Sequence, residues 1–243
     1  QVERITSYAR SHPICRIADD KLAAMRQSGL NRIHIGMESG SDQVLKIVRK
    51  GSSKKDHITA GLKVKKAGME LSEYVMPGLG GTELSREHAL ETADALNAIN
   101  PEFIRLRSLA IPEHVELYRL YRSGSFTKPT DRETATEILL FLETLTGITS
   151  TLKSDHILNL FEEIQGKFPD DKEKMTSVII NFLQLDPHEQ MLYQVGRRTG
   201  IFHYLADLND PVRRAQVEET CTRFQVTPEN VDDAIDELMR RFI

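Results

Sequence analysis

Cysteine is nearly missing from this chain: among 243 residues there are two, Cys15 and Cys221. They lie far apart, so they supply neither a disulfide framework nor a spaced metal cluster, and a reducing, cytoplasmic compartment is expected. Long apolar runs are missing too. None approaches the roughly 18 residues a membrane span needs, and no signal-peptide pattern opens the chain. Charge of one sign is not in excess. The formal net charge of −4 points to no general nucleic-acid surface and no membrane partner. No H-E-x-x-H or comparable spaced pair is present, so no metal ligands are expected within the chain. The glycine-rich stretch "PGLGGTE" fails as a dinucleotide fingerprint because the third glycine position is Glu83, and it lacks the Lys-Ser/Thr of a P-loop.

What is there has a regular plan. A chain of this length buries on the order of 70% of its unfolded surface, enough for one barrel-sized domain with an appendage. The opening "VERITSYA" reads as an apolar-rich strand with no lead-in, and Gln1 is not a start methionine; a piece of something longer is expected. A unit then recurs. "DDKLAAMRQSGL" carries Leu22, Met25 and Leu30 at helical spacing, Gly29 suits a left-handed stop, and the strand "NRIHIGM" follows. "KKDHITAGLKVKKAGM" repeats the design, with Ser53 as N-cap, Gly68 as stop and "ELSEYVM" as strand. A third helix over residues 85–99 ends at Asn100-Pro101 and leads into "FIRLRSL". Strands joined by helices in this way make a parallel sheet with right-handed crossovers. The fold class expected is α/β, a partial parallel barrel of about four strands over residues 1–125. After Gly124 the texture changes to amphipathic helices at residues 130–147, 170–185, 210–224 and 227–242, with no strands, so residues 126–243 are expected to form an all-helical C-terminal extension.

In parallel sheets, function gathers at the carboxyl ends of strands. In "HIGMESGSDQVL" a buried strand runs into Glu38, a carboxylate able to accept hydrogen bonds from sugar hydroxyls or attract a cationic ligand group. Ser39 and Ser41 add hydroxyls there, although Ser41 or Asp42 also suits a helix cap. The turn at residues 77–81 would admit a flat ligand against glycine backbone, or serve as a tight turn alone. Arg105 and Arg107 alternate along one strand face and need an anion nearby if that face is inward. His34 fits a hydrogen-bonded core histidine better than a catalytic one. "SDHILN" at residues 154–159 either reaches back over the barrel mouth or caps a helix. Gly196-Arg197-Arg198 fits a surface charge pair better than a phosphate site.

Taken in order, "GLNRIHIGMESGSDQVLKIVRKG", "KKAGMELSEYVMPGLGG" and "INPEFIRLRSLAIP" resemble the middle and later strands of a radical SAM barrel. They are nearest the branch that includes oxygen-independent coproporphyrinogen oxidases and tRNA-modifying enzymes. The resemblance covers residues 2–118. It implies a six-stranded barrel whose first loop carries C-x-x-x-C-x-x-C on a 4Fe-4S cluster. That cluster binds S-adenosylmethionine and cleaves it reductively to a 5′-deoxyadenosyl radical. By the same resemblance the ribose contact falls on Glu38, with Ser39 beside it. The adenine-facing strand end falls on Val75 through Gly80, including Met76, Gly78 and Gly80, and the last strand end on Arg105–Arg107. Arg10 becomes a candidate for the cofactor carboxylate.

The cysteine run is not in this chain, whose thiols cannot hold a cluster. The implied role is therefore the ribose and adenine side of the cofactor pocket and part of the substrate cavity of a parent enzyme. An unknown substrate and an electron donor would be its partners, and the first strand would present an edge open to association. The loop reading Pro112-Glu113-His114-Val115-Glu116-Leu117-Tyr118 departs from the family's Pro-Gly-Thr-Pro-Leu-Tyr, so no substrate transfers from a relative. Two other readings remain: a cluster-independent barrel lyase or hydrolase with Glu38 as base and phosphate at the glycine turn, and a non-catalytic binding scaffold.

Overall fold

A computed structural model describes residues 2–240 of the chain. One six-stranded sheet organises it, with strands in sequence order: β1 (Ile5–Ala9), β2 (Leu30–Glu38), β3 (Glu70–Val75), β4 (Phe103–Leu106), β5 (Thr151–Lys153) and β6 (Gly166–Lys167). The first five run parallel and β6 turns back antiparallel. Parallel neighbours need crossovers, and helices supply them. After β1 come α1 (Ser11–Arg16) and α2 (Asp19–Gln27); after β2, α3 (Asp42–Ile47) and α4 (Lys54–Lys66); after β3, α5 (Ser85–Ile99).

Local chemistry sets the helix ends as the sequence indicates. Ser53 and Asp56 form a reciprocal capping box on α4, and Gly68 takes the left-handed conformation after it, at φ +77°. The helix α5 spans the expected residues and stops where Asn100 turns left-handed before Pro101. Two strands were not foreseen. β5 and β6 are three and two residues long, too short for an alternating pattern to register, yet β5 extends the sheet beside β4. The segment read as all-helical therefore contributes to the sheet.

The remaining helices are α6 (Glu116–Arg122), α7 (Asp131–Thr144), α8 (Lys172–Gln184), α9 (Pro187–Thr199), α10 (Pro211–Phe224) and α11 (Val231–Arg240). α7 carries a capping box from Thr130 and Glu133 and packs on α5. α9 opens on Asp186 and Pro187, the pairing of side-chain cap and first-turn proline that favours nucleation. The last helix begins at Val231 rather than Thr227; its expected end at Phe242 lies outside the described residues. Arg197 and Arg198, expected on the surface, are inside. Arg197 donates to the carbonyls of Leu160, Phe202 and Asn159 at 2.9, 2.8 and 3.2 Å, and Arg198 pairs with Asp131 at 2.8 Å. They fasten α9 to the loop after β5 and to α7.

Two layers of different character meet at the sheet. Ile33, Ile35 and Met37 of β2, Leu71 and Val75 of β3 and Ile104 of β4 are buried against the helices. The alternate residues Arg32, His34, Gly36, Ser72, Tyr74 and Arg105 point to the other, inner face, as the two-residue period of a strand requires. No helix of the described residues is long and apolar enough to cross a membrane.

Candidate functional site

At the carboxyl end of β2 the ladder breaks. Gly36 faces Tyr74 while Glu38 faces Val75, a bulge that puts one extra residue in β2. Glu38 takes φ +63°, a left-handed backbone that a carboxylate residue enters only when its surroundings hold it there. The side chain folds back over Gly36. A β-carbon on residue 36 would stand 2.4 Å from Glu38 Oε1 and 3.2 Å from Lys50 Nζ, so glycine two residues earlier makes room for the acid. Oε1 pairs with Lys50 at 3.2 Å. The other oxygen, Oε2, has no hydrogen-bond partner among the described residues, and about a fifth of the side chain remains exposed. Thus the strand that ends on a carboxylate presents one oxygen outward.

The loop that follows is tied down rather than open. Ser39 is fully buried and its hydroxyl accepts the Ser41 amide at 3.0 Å. Ser39 therefore shapes the loop and is not free for a ligand. Gly40 donates to Thr92 Oγ1 at 2.8 Å. Ser41 caps α3 by accepting from Val44 and donates to Glu87 at 2.6 Å, as the helix-cap reading held.

The glycine turn lies on the same rim. Met76 donates its amide to the Glu38 carbonyl at 3.0 Å, and Arg107 donates to the Val75 carbonyl at 2.8 Å. The ends of β2, β3 and β4 are thereby joined edge to edge. The turn itself is enclosed by the chain, against the expectation of a bare glycine backbone. A β-carbon at Gly80 would meet the Leu84 carbonyl at 2.9 Å and one at Gly81 the Phe126 ring at 3.0 Å; these glycines serve close packing. Pro77 and Gly78 border a cavity of about 420 Å³ bounded also by Leu109, Phe126, Asp131, Phe161 and Ile235. The Gly78 amide is already taken by Glu137 Oε1 at 2.7 Å, and a carboxylate there opposes a phosphate.

Arg105 and Arg107 share the inner face and are reconciled by Asp155. Both guanidinium groups reach its carboxylate, Arg107 at 3.0 Å. Burial alone would raise the Asp155 carboxyl, but the two arginines overcome it and hold it below the usual range. Asp155 belongs to the "SDHILN" segment, which does reach back to the strand end. Asn159 donates to the Leu106 carbonyl at 3.2 Å and Ser108 donates to the Leu158 carbonyl at 2.6 Å. No helix starts there. Arg10, after β1, is exposed and makes no ion pair among the described residues, away from these contacts.

Sequence reasoning missed an aromatic cluster. Tyr8, His34 and Tyr74 form three near-parallel rings, with centroids 4.9, 5.8 and 6.2 Å apart, and Arg107 lies 4.4 Å over Tyr74. Tyr8 is 74% exposed. Burial, then Arg105, Arg32 and Arg107, push His34 below its ordinary value, so it is neutral near pH 7. The signal available was parity: each residue lies on the inner-face register of its strand. A second surprise is Glu73, fully buried on the helix side with neither oxygen hydrogen-bonded. Burial, reinforced by Glu38, raises its carboxyl well above the normal range.

Comparison with known proteins agrees with this layout. The Radical SAM superfamily model matches residues 5–96, so the chain carries a radical SAM segment there. A curated relative is the tRNA uridine(34) acetyltransferase of Methanocaldococcus infernus, 25% identical over 129 residues, which is 53% of this chain and 24% of that protein. Another is the heme chaperone HemW of Bacillus subtilis, 27% identical over 121 residues, 49% of this chain and 31% of that protein. The match thus spans less than a third of either relative. The solved structure of Methanocaldococcus infernus Elp3 with an N-terminal deletion superposes with a TM-score of 0.53 at 20% identity, covering 73% of this chain and 42% of that one; it shows the shared fold.

The superfamily match implies S-adenosylmethionine and a 4Fe-4S cluster. The cluster does not fit the residues present. Cys15 donates its thiol to the Asp56 carbonyl at 3.2 Å and Cys221 is buried between helices. No group of three or more His, Cys, Asp or Glu suited to a metal occurs among the described residues. The strand-end rim itself holds a partly exposed carboxylate, Glu38, and the inner face carries aromatic rings with Arg107 over one of them.

Proposed function

We propose that this chain forms the ribose and adenine side of the S-adenosylmethionine pocket, and part of the substrate cavity, of a radical SAM enzyme. When bound with its cluster, that cofactor supplies a 5′-deoxyadenosyl radical for hydrogen abstraction. Glu38 would bind: its free Oε2 suits a ribose diol, and its negative charge suits a nearby sulfonium. Lys50 orients it from Oε1. The amide and carbonyl pairs that join β2, β3 and β4 keep the rim rigid. The observation that carries this reading is Glu38 itself, held at a left-handed backbone over a glycine that only its absence of a side chain permits.

The glycine turn contributes less than the sequence indicates. With Gly78 engaged by Glu137, a phosphate there is disfavoured, and the lyase or hydrolase alternative loses its anion site. The inner face remains for substrate. Its rings and its paired arginines suit a flat molecule with polar edges, in keeping with relatives named for work on a tRNA uridine and on heme. Residues 1–125 as the barrel part and 126–243 as an extension that closes over one side of the cavity complete the proposal. The exposed β1 edge would be covered in the assembled parent.

The test uses the full-length parent. Glu38→Ala should weaken S-adenosylmethionine binding about tenfold, the loss of one or two charge-assisted hydrogen bonds, and slow its reductive cleavage. Unchanged binding and cleavage would remove Glu38 from the pocket.

A further inference from the structure

Between the strand-end rim and the helices lies a buried polar chain that the cofactor reading does not use. Glu137, on α7, is 3% exposed and His88, on α5, 2%. Glu137 Oε1 accepts from the Gly78 amide at 2.7 Å and faces His88 Nδ1 at 2.9 Å; Oε2 accepts from Ser85 Oγ at 2.6 Å. On the other side of the ring, His88 Nε2 meets the Glu38 carbonyl at 3.2 Å. A carbonyl oxygen only accepts, so Nε2 must carry the proton there. Nδ1 and Oε1 then share a second proton, because two bare acceptors would repel at that distance. In either arrangement of that proton the linkage is complete.

Its position is not incidental. The Glu38 carbonyl belongs to the residue with the left-handed backbone, and Gly78 begins the neighbouring turn. One carboxylate from the helical extension therefore fixes both. Arg198 on α9 in turn clamps Asp131 at the start of α7 by two contacts, 2.8 and 3.1 Å. A buried, fully hydrogen-bonded network of this kind costs much if half removed and rigidifies what it touches.

We propose that Glu137 and His88 are positioning residues for the cofactor wall. Through a shared proton they lock the Glu38 backbone and the Gly78 turn in register, so that the helices after the barrel set the geometry of the site. The claim rests on the reading of Glu38 given above. Glu137→Gln is the informative change. An amide oxygen can still accept from Gly78, but it cannot share a proton with His88, so the link to Glu38 alone is lost. Ser85→Ala, which removes only the Oε2 contact, is the control.

Two readouts decide it. Long-range ¹H–¹⁵N spectra of the ligand-free chain should show His88 Nε2 protonated and slow to exchange in wild type and Ser85→Ala, but not in Glu137→Gln. A His88 that changes tautomer freely, or one indifferent to Glu137→Gln, overturns the proposal. Calorimetric titration of the full-length parent with S-adenosylmethionine should then show about fivefold weaker binding for Glu137→Gln, the effect of one lost hydrogen bond. Weakened binding in Glu38→Ala with none in Glu137→Gln refutes positioning while leaving Glu38 in the pocket. If neither changes binding, Glu38 is not in the pocket and the positioning role fails with it, although the spectra would still report the bond.

Discussion

The two faces of the central strands follow different rules. On the helix side, Ile33, Ile35, Met37, Leu71 and Ile104 are at most 5% exposed, and every buried position but Glu73 is apolar. On the inner side the register positions are Arg32, His34, Gly36, Ser72, Tyr74 and Arg105: Tyr74 meets His34 and Tyr8, Arg105 pairs with Asp155 and Arg32 with Glu70, while Ser72 Oγ has no hydrogen-bond partner. Parallel strands are ordinarily covered on both faces and apolar on both. Here one face is apolar and packed against helices and the other is polar, and a single residue of parity decides on which a side chain lies.

Mutations sharpen that contrast, and the largest effect belongs to the packed side. Ile35→Ala removes a fully buried side chain and should cost about 2–5 kcal/mol of stability in chemical denaturation. Next comes Gly36→Ala. Its methyl would collide with Glu38 Oε1, the end of a flexible side chain, so the acid swings away from Lys50; a loss of no more than about 1 kcal/mol is expected, with weakened cofactor binding in the parent. Retained binding would detach the glycine from the acid's role.

Glu73 breaks the rule of its own face, and its effect depends on pH. Its folded-state carboxyl is raised, so the folded chain holds a proton that the unfolded chain releases above about pH 4.5. Stability contributed by the neutral acid is present below that value and declines as pH rises toward the folded value. Glu73→Gln should therefore raise the melting temperature at pH 7 by about 2–4 °C, the shift that roughly 1 kcal/mol makes in a chain of this size. At pH 4 the gain should vanish. An equal gain at both values would mean that the carboxyl is not the cause. The smallest effect belongs to the inner face: Tyr8→Ala, at a largely exposed ring, should change stability by no more than about 0.5 kcal/mol. A loss several times larger would make the aromatic cluster part of the core.

Much of this was readable from local chemistry. Ser53, Gly68, Asn100-Pro101 and Thr130 mark helix ends through side-chain caps and left-handed stops, each decided within a few residues. Period two in β2 and β3 carries the two faces, a signal left unused there. What escaped depends on partners distant in sequence. Nothing near Arg105 announces Asp155, and nothing near Gly78 announces that Glu137 fills its amide. Gly80 and Ser39 looked available because exposure is set by α5 and α7 packing over them. The three residues of β5 pair with β4 only because the fold brings them there. The glutamate at the end of β2 was legible for a different reason: a buried strand has no local cause to stop on an acid.

The most direct test follows the Glu38 side-chain carboxyl by ¹³C resonance in the full-length parent while S-adenosylmethionine is added. The account expects that resonance to move saturably with the cofactor, and the Lys50 ammonium signal to move with it. A carboxyl resonance that stays fixed through saturating cofactor, while other resonances shift, would contradict it.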